Sequence, residues 1–334
     1  MKKIVIGVIA GLMAMGCGNT KNSTTENKQT VAEPIGPVFS ADSALLYCQQ
    51  QCDFGPRTMN SEAHEHCADW IVTKFEQFGL QVTTQKATLT GYDGTALKAT
   101  NIIASFKPEL KDRIMICAHW DSRPWADNDP DEANHKKPVM AANDGASGVG
   151  VMLEIARLLT QSPNHQSPNI GIDFVCFDAE DWGTPQWAEN TRSDGDTWAL
   201  GSQYWSTNLH QQGYKPRFGI LLDMVGGQGA RFYQESVSLH YANNIVKKVW
   251  QAAETIGYGS VFVNDEGGQI TDDHVNVNQK AGIPCIDISP YYADCEQSSF
   301  GPTWHTVNDD MEHLDKNTLQ AVGQTLIQVI FSEE

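Results

Sequence analysis

The sequence predicts a single α/β domain whose central, mixed but mostly parallel twisted sheet is flanked by helices. Three observations predict it. Short, continuous apolar runs of strand type recur at 113–118 (RIMICA), 169–178 (NIGIDFVCFD), 218–223 (FGILLD) and 283–288 (IPCIDI). Strands covered on both faces read as unbroken apolar runs rather than alternating ones. Between them, 145–159, 239–257 and 314–331 space their apolar residues by three and four, as helices that cover a sheet do. No linker rich in proline or serine interrupts the chain after its first 40 residues, so one domain over 38–334 is expected.

The elements follow in order. Helical segments at 41–52 and 61–78 come first, and strands at 81–89 and 99–106 follow before the first buried run begins at Arg113. No internal repeat is evident.

Composition excludes several function classes. The chain has 334 residues, 41 acidic against 23 basic, for a net charge of −18. Nucleic-acid binding relies on a basic stripe that displaces counterions, and the longest basic cluster here is a lysine pair. With 40% hydrophobic residues the chain can bury a core, and no apolar run approaches the roughly 18 to 20 residues of a membrane span.

The first 37 residues have a different character. Lys2 and Lys3 precede an apolar stretch from Ile4 to Met15, then Gly16-Cys17 and a polar tract. This is the pattern of a bacterial export signal followed by a tether, and a small residue before a cysteine marks a lipoprotein processing site. Two outcomes are open: a lipid on Cys17, or ordinary cleavage elsewhere in the tract. Either places the mature protein outside the cytoplasm, in the periplasm or anchored to an envelope membrane. Of the other seven cysteines, Cys117, Cys176 and Cys285 lie in apolar runs as buried hydrophobes, while Cys48, Cys52, Cys67 and Cys295 are available for disulfides of unassigned pairing. CxxC spacing is absent, which argues against a cysteine zinc site.

Polar residues cluster where the buried runs end: His119 and Asp121 after the first, Asp178, Glu180 and Asp181 after the second, Asp223 after the third. Ligands of open α/β sheets bind along that carboxyl edge. With Asp144, Asp272, His274 and His305 these are metal-ligand and proton-transfer types. A single acid in such a place is more often a turn or a helix cap; several strand ends carrying acids or a histidine favour a site. Asp144, at a helix start rich in small residues, can cap and ligate at once. His119 and Asp121 have the spacing of a ligand and the carboxylate that orients it. Neither a GxGxxG nor a GxSxG is present.

Taken together, AHWD (118–121), NDGASG (143–148), FDAED (177–181), LLDMVG (221–226), TDDH (271–274) and WHT (304–306), with FGPR (54–57) and NIIASF (101–106), resemble the M28 zinc-peptidase superfamily and, within it, the glutaminyl-peptide cyclotransferases. The resemblance implies a zinc aminopeptidase-like fold and one zinc ion held by Asp144, Asp181 and His305. It implies Glu180 as the proton shuttle, Asp223 and Asp272 as carboxylates of the substrate network, and Trp304 and Trp187 as aromatic walls. His119 and Asp121 are then a second-metal site or its vestige. In the animal enzymes Glu stands at the position of Asp181 and His at that of Asp287. The expected partners are peptides and proteins with N-terminal glutamine. Membrane contact is expected only through a lipid on Cys17. Two other functions stay open: an aminopeptidase with two zinc ions, its second site made by His119, Asp144 and Asp223, and a non-catalytic peptide-binding lipoprotein.

Overall fold

The computed structural model of the chain describes residues 31–161, 167–188 and 196–333; Cys17 and the leader before residue 31 lie outside them. Residues 31–37, assigned to the tether by the sequence reading, run along the domain. Ala32 N donates to Thr255 O at 2.9 Å, and Ile35 N to Gln328 Oε1 at 2.8 Å.

Helices α1 (Ala41–Cys52) and α2 (Glu62–Gln77) each start on a serine cap: Ser40 Oγ accepts from Ser43 N and Ser61 Oγ from His64 N. Strands β1 (Gln81–Thr90) and β2 (Ala96–Phe106) pair antiparallel, and β1 forms one edge of the sheet, with a largely exposed pattern. Strand β3 (Arg113–His119) is buried throughout, as is β4 (Gly171–Phe177) beyond helix α3 (Ala146–Gln161). Next come α4 (Leu200–Thr207), β5 (Gly219–Leu222), β6 (Phe232–Gln234), α5 (Ser236–Thr255), β7 (Phe262–Glu266), α6 (Asp273–Asn276), β8 (Cys285–Ile288) and α7 (Lys316–Ser332).

The main sheet has the order β1-β2-β4-β3-β5-β8. Its last four strands are mutually parallel, and β2 joins β4 antiparallel. The expected mixed, mostly parallel sheet is therefore present. Alternate residues of β3 separate two cores. Ile114, Ile116 and Ala118 face the larger one, which receives residues of α1, α2, α3, α5 and α7, whereas Met115 and Cys117 face a smaller one with Trp205 of α4. Helix α3 presses close to the sheet at Gly148, where a Cβ would stand 2.4 Å from Leu222 O.

Four short elements escaped the sequence reading. Helix α4 begins at Ala199, which offers no capping side chain, and α6 spans a single turn, so neither builds a detectable periodicity. Strands β6 and β7 form a separate pair of three and five residues. The expected strand at 169–178 ends early because Asp178 turns away from the sheet: its carboxylate receives Thr100 N at 2.6 Å and meets His64 Nε2 at 2.9 Å. The strand expected at 283–288 starts only at Cys285, after Pro284, which has no N–H to give a ladder. All seven described cysteines are free, including Cys48, Cys52, Cys67 and Cys295.

Candidate active site and metal centre

Strand ends and two loops build the site. His119 closes β3, Glu180 and Asp181 follow β4, Asp223 follows β5, and Asp144 precedes α3, all at the carboxyl ends of adjacent parallel strands. Asp272 caps α6, and His305 comes from the segment between β8 and α7. The backbone beside these residues is strained: Ala179, Met224 and His305 hold left-handed φ values of 53°, 52° and 54°. Gly145, after Asp144, sits at φ +104°, and a Cβ there would approach Asp121 O to 2.7 Å and His119 Cε1 to 3.1 Å. Only glycine lets the Asp144 turn lie against the His119 strand.

Two buried triads converge and share one residue. His119, Asp144 and Asp223 form the first, and Asp144, Asp181 and His305 the second; within each, one potential ligand atom per residue lies within 4.8 Å of the others. His119 Nε2 is 3.0 Å from Asp144 Oδ1 and 3.3 Å from Asp223 Oδ1. His305 Nε2 is 3.1 Å from Asp181 Oδ1 and 3.6 Å from Asp144 Oδ2. Asp144 Oδ2, both oxygens of Asp181 and Asp223 Oδ1 are buried without a hydrogen-bond donor. Orphaned carboxylate oxygens that converge with histidine nitrogens are a donor set suited to a divalent cation.

Electrostatics point the same way. Burial, then the charge of Asp181, pushes Asp144 up to about 8, and burial pushes Asp181 up to about 7 against the pull of Arg123. Burial and then Asp272 hold Glu180 well above the usual carboxylate range, and burial and then Asp223 raise Asp272 to about 6. Burial alone lowers the pKa of His119, yet the carboxylates of Asp121, Asp144 and Asp223 that face it outweigh that and raise it well above the ordinary value. Burial, then Arg123, lowers His305.

A surrounding layer holds these groups. Asp121 accepts Glu180 N at 3.0 Å and Asp181 N at 3.1 Å, and lies 3.5 Å from His119 Nδ1. With its oxygens so engaged, Asp121 is placed to orient His119 and stands outside both triads. Asp127 plays the same part for His305, 3.6 Å from Nδ1, and is itself gripped by Arg123 at 2.8 and 2.6 Å. Asp309 accepts the backbone N–H groups of Asn143 and Asp144. Buried Arg57, of the FGPR segment, donates to the carbonyls of Trp120, Met140 and Ala141. His274 belongs to neither triad; its Nε2 lies 3.2 Å from Glu235 Oε1. Asp287 is buried behind the site, its pKa raised by burial and then by Asp272.

Above the triads opens a cavity of about 190 Å³ lined by Glu180, Asp223, Asp272, Trp198, Phe300 and Trp304, with Ile270 and Thr271 on one side. The Trp304 ring stacks on His305, centroids 3.8 Å apart, and Trp198 lies parallel to the same imidazole at 5.9 Å. Trp187, expected as the second wall, is 42% exposed, packs on Trp125 and does not line the cavity; Trp198 takes that place. A roomier hollow of about 700 Å³ between α2 and the β1–β2 pair contains none of the converging carboxylates. Sequence reasoning missed Arg123, Asp127, Trp198, Phe300 and Asp309. Their roles depend on what they touch, and no local spacing marks them.

A parallel sheet with histidine and carboxylate triads along its carboxyl edge defines an α/β metalloenzyme class. Residues 101–330 match the profile of peptidase family M28, and the chain belongs to that family. Among solved structures, glutaminyl cyclase of Bacteroides thetaiotaomicron, bound to N-acetylhistamine, is 54% identical with a TM-score of 0.84, covering 90% of this chain and 100% of that one. Glutaminyl cyclase of Tannerella forsythia is 52% identical with a TM-score of 0.85, covering 89% and 100%. Aminopeptidase YwaD of Bacillus subtilis is 28% identical over 97% of this chain and 67% of its own length. The chain spans 63–64% of the length of the curated glutaminyl-peptide cyclotransferases it matches, such as those of Boiga irregularis and Bos taurus.

Proposed function

We propose that the chain cyclises the N-terminal glutamine of peptides and proteins to pyroglutamate, releasing ammonia. The observation that carries this reading is the small cavity: about 190 Å³ between Trp198, Phe300 and Trp304, directly over the Asp144–Asp181–His305 triad, with Glu180 in its lining. It suits one curled side chain and its amine. Identity above 50% with two glutaminyl cyclases over nine-tenths of the chain supports it.

In the reaction the free α-amine attacks the γ-amide carbon. A C–N bond forms, the bond to the amide nitrogen breaks, and a five-membered lactam and ammonia result. Asp144, Asp181 and His305 would hold a zinc ion, which when bound supplies Lewis-acid polarisation of the γ-carbonyl. Glu180 takes a proton from the attacking amine and returns it to the leaving nitrogen, a task suited to a buried carboxyl group whose pKa lies above the usual carboxylate range. Asp223 and Asp272 face the amine and amide and position them. The aromatic walls keep the side chain folded towards attack and exclude the water that would hydrolyse the amide instead.

The second triad favours a second reading. His119, Asp144 and Asp223 complete a donor set for another cation, and a two-zinc aminopeptidase would use Glu180 as the base for water. Mass spectrometry of a glutamine-initiated peptide incubated with the zinc-loaded protein separates the readings. Loss of ammonia alone establishes the cyclase; loss of the whole first residue establishes the aminopeptidase. For location, the leader composition supports an exported protein, periplasmic or anchored through Cys17. No helix among the described residues is long and apolar enough to cross a membrane.

A further inference from the structure

Cyclisation consumes only the amine and γ-amide of the first residue. That residue's own carbonyl stays bonded to the rest of the peptide, so the chain from its second residue onward must lie outside the 190 Å³ cavity. A second hollow, of about 450 Å³, adjoins it. The two share Thr271: Ile270 and Asp272 line the catalytic side, while Gln269, on the same segment, lines the other with His240, Tyr241 and Gln279. The segment 269–272 is therefore a ridge with one hollow on each flank.

We propose that this second hollow is the subsite for the second and third residues of the substrate, and that Tyr241 is its specificity-determining side chain. The inference rests on the cyclase reading of the catalytic cavity.

Its chemistry fits a peptide main chain. The carboxamides of Gln269 and Gln279 each offer both donors and an acceptor, the pattern that backbone amides pair with. The hollow's lining includes no carboxylate, lysine or arginine, so it selects no charged side chain. Tyr241 is 40% exposed, an unusual state for a large aromatic in this chain, and presents a ring on which an apolar or aromatic side chain can pack.

The two walls are joined to one another. Ser236 N donates to Gly268 O at 3.2 Å, which ties the start of α5 to the ridge segment, and Glu235 caps the helix by accepting from Val237 N and Ser238 N. Helix α5 departs from helical geometry at Ala242 (φ −143°, ψ 38°), so its opening stretch from Ser236 to Tyr241 is set off from the rest of the helix.

The test compares glutaminamide with the tripeptide amide Gln-Phe-Ala on the zinc-loaded native protein and on the Tyr241→Ala, Gln279→Ala and doubly substituted variants, following ammonia release. In the native protein kcat/KM for the tripeptide should exceed that for glutaminamide by about tenfold, mainly through KM. The ratio should drop several-fold in each single variant and approach about one in the double variant. A general structural defect would depress both substrates together and leave the ratio alone. A native ratio near one, or a ratio that the double substitution leaves at its native value, overturns the subsite. Failure of native protein to release ammonia from either compound overturns the cyclase reading, and the subsite with it.

Discussion

Asp144 Oδ1 lies 3.0 Å from His119 Nε2, while the other oxygen of the same carboxylate faces His305 Nε2 at 3.6 Å. One side chain thus bridges both candidate metal positions, and the number of ions becomes testable residue by residue. Asp144→Ala should remove bound zinc and activity together, because neither triad survives. His119→Ala should leave one zinc per chain in a one-metal cyclase, and should lower the content from two to one in a two-metal aminopeptidase. Elemental analysis of the dialysed variants reads both; an Asp144→Ala protein that keeps its full zinc content would remove Asp144 from the ligand set.

Glu180 lines the cavity yet belongs to neither triad. Glu180→Gln preserves shape and hydrogen bonding but cannot carry a proton, so turnover should fall by about 100- to 10,000-fold with zinc content unchanged. Steady-state ammonia release alongside metal analysis checks this. Activity within a factor of two of native would end the assignment.

Without a cation the carboxylate cluster makes stability depend on pH. Asp144, Asp181, Asp272 and Asp309 are raised from 3.8 to about 8, 7, 6 and 7, so the metal-free folded state binds more protons than the unfolded chain between those values. By linkage, their contribution is present at acid pH and is lost as pH climbs from about 4 to about 8. Tm of the metal-free protein should therefore fall across that window, other titrations aside, while zinc-loaded protein should show a much flatter profile. Zinc binding at neutral pH should also release protons, measurable as a dependence of the calorimetric heat on buffer. Parallel Tm curves for the two forms would contradict the account.

Gly145 offers a structural test separate from the chemistry. Alanine at φ +104° is strained by about 1–3 kcal/mol, and its Cβ would press on Asp121 O, 2.7 Å away. Gly145→Ala should lower Tm and, by displacing Asp144, weaken zinc retention. A variant equal to native in both would show that the loop can shift freely.

Much of this architecture is readable along the chain, for a physical reason. Strands β3 and β4 are buried at all seven positions each, so apart from Arg113 and His119 at the ends of β3 and Asp173 within β4 their residues are apolar, and the apolar stretch ends where the polar edge of the sheet begins. The same rule exposed His119, Asp181 and Asp223 as ionisable residues at strand ends. Local information failed for α4, which has no capping side chain, and for α6, whose single turn on the Asp272 cap is too short to show an amphipathic period.

Chain order by itself determined the sheet, its polar edge and, through the resemblance, the residues of the Asp144–Asp181–His305 triad. Only the tertiary structure decided which neighbours complete the site. Asp127 became an orienting group, and Trp198 rather than Trp187 became the wall beside His305; left-handed turns at Ala179 and His305 aim side chains in directions no periodicity encodes. Strand and helix patterns are set by burial that repeats every few residues, whereas a site is set by single contacts between residues far apart in sequence, and those exist only once the sheet has brought the loops together.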